Sequence, residues 1–300
     1  MNKKSYPIIA GIISVLLMGT VPAMRRQLAE NLSTYTSGAV NCILSGTTLL
    51  IINLRKNGIA PVKEIDRRYW LCCAIPFFIY NFTSYMATGL AATREGSILA
   101  GLFTQLWPLG GLALTVIILN QKTKIGFWPS CILSVIGVFF STLAGSSLSI
   151  KETLSSNGVA IISGMIDPVF YGIYSGYYCK LVKDSKYDYH PILEIILGMI
   201  MMVFAFIYHE TVTTIDCKTV LIILFQVLFS GIIASELWKY ALRSNQRMIA
   251  LLLSNITPVI STVFSALFLK VNIRWPVMVG SIIIVISVVL AKKNIIDNLD

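Results

Sequence analysis

Asp167 is the first residue whose type and position ask for chemistry. It lies in the middle of an apolar run, directly before Pro168 (GMIDPVFY), and a carboxylate at that depth is costly unless it pairs, titrates or faces water. Three roles fit: holding a substrate ammonium, relaying a proton, or bonding a neighbouring helix as a neutral acid. Trp107 also sits deep in a run, beside Thr104 and Gln105 (TQLWP), whereas Trp70, Trp128 and Trp275 fall at run ends, where an interfacial aromatic belt belongs. An indole next to a carboxamide can stack on a planar ligand while the amide reads its polar groups. Tyr80, Asn81, Tyr85, Tyr171, Tyr174 and Asn255 add polar tips inside other runs, suited to a ligand or to hydrogen bonds between helices. None of this forms a reactive set. There is no H-E-x-x-H, no G-x-S-x-G and no aspartate-rich motif, so no catalytic residue, metal or cofactor is expected.

The elements that position these side chains are set by composition. Of 300 residues, 56% are hydrophobic and 13% charged, about half the charged share of a typical soluble domain. Such a chain cannot coat itself for water, and roughly 20 apolar residues per span leave room for about ten spans. The expected fold is therefore an all-α polytopic membrane protein. Helices are expected near 6–24, 35–54, 69–90, 96–119 and 125–145, then near 157–182, 191–208, 219–241, 246–269 and 275–291. The net charge of +10 sits in short loops, which points to membrane topology rather than nucleic acid. Six cysteines without C-x-x-C spacing read as small buried hydrophobes.

With both termini cytoplasmic, only Arg25, Arg26, Arg94, Lys151, Lys218, Lys270 and Arg274 fall on the far side, and the rest of the 24 basic residues face the cytoplasm. The positive-inside rule selects that orientation. His190 and His209, flanking the seventh run, and Glu194, near its start, read as interfacial. Glu236 is placed to pair with Lys239 on one helix face. Gly172 and Gly176 form G-x-x-x-G, a close-packing face.

The chain also repeats itself. At an offset of 150 residues LAGLFTQLWP, ending at Pro108, falls on IALLLSNITP, ending at Pro258, so that Gln105 meets Asn255. Residues 1–150 and 151–300 are thus expected to be two five-helix repeats, and an odd number of spans makes them opposite in orientation. Inverted repeats with prolines breaking matching helices are the sequence mark of a secondary transporter whose site lies between the halves near the midplane. The expected partners are the lipid bilayer and a small molecule, the chain acting as a monomer or homodimer.

Several short motifs carry a family resemblance. Gly89-Leu90-Ala91-Ala92-Thr93, Leu106-Trp107-Pro108, Asn120-Gln121-Lys122-Thr123, WKYAL ending at Leu242 and Ile256-Thr257-Pro258-Val259 resemble the aromatic amino acid exporters of the drug/metabolite transporter superfamily (EamA-like). The resemblance implies a ten-helix inner-membrane carrier, exporting aromatic or other hydrophobic amino acids or related metabolites through a central cavity. With it, Tyr80, Trp107, Trp238 and Phe170 are expected to line that cavity, and the polar residues at depth, Gln105, Asn255 and Asp167, are expected to orient the polar end of the substrate. Where the exporters carry a tyrosine two residues before the LWP tryptophan, this chain has Gln105, and their sixth-helix tryptophan aligns with Phe170. A carrier for a nucleoside, a nucleotide-derived metabolite or a cationic drug is the rival within the superfamily.

Overall fold

The computed structural model describes residues 6–57, 67–145, 150–181, 189–213, 215–243 and 256–295. Ten helical rods account for nearly all of them: α1 (Tyr6–Leu32), α2 (Thr34–Asn57), α3 (Arg67–Gly89), α4 (Arg94–Ile118), α5 (Phe127–Gly145), α6 (Ile150–Leu181), α7 (His190–Ile207), α8 (Cys217–Phe225, Gln226–Ile233 and Ala234–Arg243), α9 (Thr257–Leu269) and α10 (Trp275–Lys293). Eight of them are long and apolar enough to cross a bilayer, and the described apolar stretches of α5 and α9 are shorter. Lipid cannot hydrogen-bond a backbone, so helices that satisfy their own amides are the spanning solution. Their outer faces are apolar: Met199, Met202, Val203 and Phe206 of α7 all point outward, as lipid contact requires.

Among the described residues two boundaries differ from the sequence expectation by more than a few positions, and the first part of the ninth expected helix, 246–255, lies outside them. The run of α1 does not stop near residue 24 but continues to Leu32, because Arg25 and Arg26 find partners inside the protein instead of marking a loop. α6 begins at Ile150 rather than near 157.

Irregularities fall in matching pairs, five helices apart. α1 is interrupted at Thr20, whose hydroxyl donates to the Leu17 carbonyl at 2.7 Å, and restarts with Pro22 in its first turn; its counterpart α6 carries Pro168. α3 and α8 each contain a π-helical segment, Trp70–Ala74 and Gln226–Ile233. α4 breaks at Gln105 and Leu106, and its second segment starts with Pro108 in the first turn; α9 starts with Pro258 in the same position. Asn120 and Lys270, 150 residues apart, both adopt left-handed backbone at the helix end (φ 50° and 56°). The next amide closes the same bond in each, Gln121 to Val116 and Val271 to Ala266, both at 2.9 Å.

Packing follows the same rule. α2 packs on α7 and α5 on α10, α6 lies against α3 and α4, and α1 lies against α8 and α9. Replacing each helix by the one five places away leaves this pattern unchanged. Small residues allow the closest approaches, since helices in lipid gain little from hydrophobicity and associate through tight packing. A Cβ at Gly110 would run into the Pro168 carbonyl, and one at Gly172 into the Gly110 carbonyl; the expected G-x-x-x-G face therefore packs α6 on α4. Gly198 seats α7 on α2, where a Cβ would lie 3.1 Å from the Ala39 carbonyl.

The connections sort onto two ends. At one, Arg94 grips Glu30 through two bonds (Nε to Oε1 2.9 Å, Nη2 to Oε2 2.6 Å) and donates to the Leu269 carbonyl at 3.0 Å. Arg26 adds a contact to Glu30 at 3.0 Å and donates to the Ala91 carbonyl at 2.6 Å. On that same end Glu210 accepts from the Tyr35 and Thr36 amides (2.9 and 2.7 Å). At the opposite end the Lys124 amide donates to the Asn294 carbonyl, joining the α4–α5 link to the end of α10.

Candidate functional site

Among the described residues, a polar cavity of about 190 Å³ opens between α1, α2, α3, α7 and α8. Its walls include Arg25, Asn41, Ser45, Asn81, Tyr85, His190, Glu194 and Gln226, an unusual concentration of polar groups for the interior of an apolar bundle. The irregular helices build it. The restarted segment of α1 presents Val21 and Arg25, and the π segment of α8 presents Gln226, Ser230 and Gly231. π segments shift helix register locally and often mark functional positions.

Arg25 lies over the Tyr85 ring, 4.0 Å from its centroid, and its Nη1 donates to the Ser84 hydroxyl at 2.7 Å. Ser84 also hydrogen-bonds Asp167, so guanidinium, hydroxyl and carboxylate form a chain. The acid expected to be expensive at depth is 4% exposed, and its bond to Ser84 and the facing charge of Arg25 offset part of the cost of burying it. Glu194 accepts from Ser45 at 2.5 Å and faces His190 Nε2 at 3.2 Å. The Asn41 amide donates to the Tyr85 hydroxyl at 2.8 Å.

Four polar atoms on these walls have no partner among the described residues: Arg25 Nε, Asn41 Oδ1, and both Nε2 and Oε1 of Gln226. Gln226 is 2% exposed. Buried polar atoms are nearly always bonded, so two donors and two acceptors left without partners on residues that line one cavity mark walls suited to closing on a polar ligand.

One aromatic cluster adjoins the cavity. Phe77 packs edge-on against His190 (5.2 Å), Tyr80 (5.5 Å) and Tyr174 (5.6 Å). Tyr80 meets Tyr171 at 5.3 Å, and Tyr171 meets Trp107 at 5.2 Å. Four of the residues read from sequence, Tyr80, Tyr171, Tyr174 and Trp107, are thus brought together, with Phe77 packed against Tyr80 and Tyr174. Asn81 lines the cavity itself and bonds the Tyr80 hydroxyl, which lies within electrostatic reach of both Asp167 and Glu194.

Other sequence-read residues lie apart. Gln105 is buried with an unpartnered Oε1, but in a separate crevice beside Pro22, Ser261 and Ser265. Phe170 is half-buried on α6 and is not among the residues lining the cavity. Trp238 sits one turn beyond the cavity-lining Ser235 on α8. Pro108 stands just after the break in α4, Pro258 in the first turn of α9, and Asn255 lies outside the described residues.

Sequence reasoning missed Arg25, Gln226, Glu194 and His190. The last two were expected at the interface, yet they face the cavity because the start of α7 packs against α2, where Ser45 meets Glu194. A lone glutamine within the apolar stretch LFQVLFS is the same signal that drew attention to Gln105, and it identifies Gln226.

The chain matches the EamA-like transporter family twice, over residues 5–143 and 158–292. It is 23% identical over 276 residues to the aromatic amino acid exporter YddG of Escherichia coli, covering 91% of this chain and 92% of that protein. It is 22% identical to YddG of Salmonella typhimurium, covering 92% and 93%. An uncharacterised protein of Methanocaldococcus jannaschii is 31% identical over 134 residues, 94% of its own length but 44% of this chain. A solved crystal structure shares the fold with a TM-score of 0.68 at 15% identity, covering 96% of this chain and 97% of the other.

Proposed function

Because this chain belongs to the EamA-like transporter family, and so to membrane carriers rather than enzymes, we propose that it exports an aromatic or other hydrophobic amino acid, or a closely related metabolite, by alternating access. The observation that carries the reading is the polar cavity with unpartnered atoms, bordered by the Phe77–Tyr80–Tyr171–Trp107 aromatic cluster. A ligand with a polar head and an apolar ring matches both surfaces. The volume, about 190 Å³, is below the roughly 300–1,000 Å³ of drug-sized sites and favours an amino acid over a nucleotide-derived metabolite or a bulky drug. The likeness to exporters of aromatic amino acids points the same way.

In this reading residues 1–150 and 151–300 are inverted halves, with both termini cytoplasmic in the inner membrane. The paired irregularities and the exchangeable packing support the duplication, as does a relative whose length corresponds to one half. Five spans per half make the copies opposite in orientation, and two near-equivalent halves can exchange inward-open and outward-open packings of similar energy. Trp107, Tyr80 and Tyr174 would pack the apolar part of the substrate; Asn81 and Asp167 belong to the polar side. Trp238, Phe170, Gln105 and Asn255 would meet the substrate as the helices rearrange around it.

Counterflow of labelled phenylalanine, tyrosine and tryptophan in proteoliposomes tests this, with Trp107→Ala as the variant. Uptake by the native chain that falls about two- to tenfold in folded Trp107→Ala is expected, the scale of losing an aromatic contact. Folded native protein that exchanges none of the three would overturn the substrate reading.

A further inference from the structure

Two opposite charges, Arg25 and Glu194, face one small cavity without meeting, and Arg25 reaches a second acid, Asp167, through Ser84. Among the described residues, Arg25 contacts the Ser84 hydroxyl and the Tyr85 ring, while Glu194 contacts Ser45 and His190. An arginine and a glutamate free to collapse together in a low-dielectric interior would do so unless the walls hold them apart; here each is anchored to its own helix neighbours. Each also keeps capacity in reserve. Arg25 Nε has no acceptor, and a carboxylate offers about four lone-pair sites, of which Ser45 and His190 address two. The open amide atoms divide in the same way: Gln226 Nε2 seeks an acceptor, while Asn41 Oδ1 and Gln226 Oε1 seek donors.

A ligand with one charge would satisfy one end and leave the other unmatched. We propose that this cavity binds the zwitterionic head of an α-amino acid, with the carboxylate on Arg25 and Gln226 Nε2 and the ammonium on Glu194 and Asn41 Oδ1. The assignment rests on the carrier reading above and narrows it: the head group is recognised through both charges, and the side chain is received by the neighbouring aromatic cluster. A free amine or a free acid of the same shape then binds more weakly, because it strips water from the opposite charged group without contacting it.

The test is equilibrium binding to the purified full chain in detergent. The ligands are phenylalanine, phenethylamine, which lacks the carboxylate, and 3-phenylpropionate, which lacks the ammonium; leucine and serine complete the panel. The native chain is expected to bind phenylalanine about ten- to a hundredfold more tightly than either fragment, the scale of hydrogen bonds to a charged group. Arg25→Gln should bring phenylalanine down to the level of phenethylamine without weakening phenethylamine. Glu194→Gln, which keeps an oxygen for Ser45, should bring phenylalanine to the level of phenylpropionate and spare the latter. Arg25→Lys, which keeps the charge should Arg25→Gln fail to fold, should retain part of the preference. Equal binding of phenylalanine and its fragments, or variants that weaken all three equally, would overturn the proposal. If leucine or serine binds with the same dependence on Arg25 and Glu194 while phenylalanine does not, the head-group site stands and the aromatic assignment falls. If no amino acid binds to folded protein, both fall.

Discussion

Gln226→Leu should make the protein more stable and less able to transport. Gln226 is 2% exposed, and neither its Nε2 nor its Oε1 meets a partner among the described residues. An unsatisfied buried polar atom costs about 1–3 kcal/mol, and this residue carries two. Water entering a 190 Å³ cavity recovers part of that cost, so leucine, similar in size and without polar atoms, should raise the unfolding free energy by about 1 kcal/mol. The same change removes a donor and an acceptor from the cavity wall, and counterflow should fall about tenfold or more. Both quantities can be read on one preparation, by denaturant titration in mixed micelles and by exchange in proteoliposomes. A leucine variant that is less stable by 1 kcal/mol or more would show that Gln226 holds the fold together, and unaltered transport would show that the cavity is not on the substrate path.

The ion-pair cluster at one end of the bundle yields a second expectation. Glu30 bridges Arg94 and Arg26, and a double-mutant cycle of Glu30→Gln with Arg94→Gln should give a coupling of about 1–2 kcal/mol, between exposed and buried pairs because Arg94 is 41% exposed; a coupling near zero would refute a structural role. Gly110→Val should destabilise by about 1–3 kcal/mol or more, since α6 must move away to relieve the contact with the Pro168 carbonyl; a neutral result would mean that α4 and α6 do not cross there. At the start of α8, the Thr219 hydroxyl and amide both donate to Asp216 (2.6 and 2.8 Å), which holds its carboxyl below the usual range. A lowered folded-state pKa contributes stability above the unfolded value that is lost as pH falls through the folded one. Hydrogen exchange over 217–221, corrected for intrinsic rates, should therefore show fraying of that turn only on strong acidification, and Asp216→Asn should abolish the pH dependence.

Much of this organisation is legible in the sequence because lipid imposes simple rules. Apolar runs give the helices, and the echo of TQLWP in SNITP gives the duplicated proline positions. Polar-tipped aromatics at depth give Tyr80, Tyr174 and Trp107, which the fold brings into one cluster. What stays hidden is charge at the ends of runs. Arg25 and Arg26 look like a helix terminus, yet the chain remains helical to Leu32 because Glu30 lies one turn beyond Arg26 and carbonyls of the α3–α4 link accept from it. Glu194 and His190 look interfacial because only the tertiary pairing of α7 with α2 supplies Ser45. The π segment of α8, which turns Gln226, Ser230 and Gly231 toward the cavity, has no signature in the residue pattern.

Alternating exposure of this cavity is the central claim, and Ser230, which lines it and is 9% exposed, is the position from which to test it. With the six native cysteines replaced and Ser230→Cys introduced, a membrane-impermeant thiol reagent is applied to sealed vesicles of either orientation, with and without phenylalanine. The thiol should react from both sides, one side at a time within each conformation, and phenylalanine should protect it from both. Reaction confined to a single side, indifferent to phenylalanine, would contradict the account.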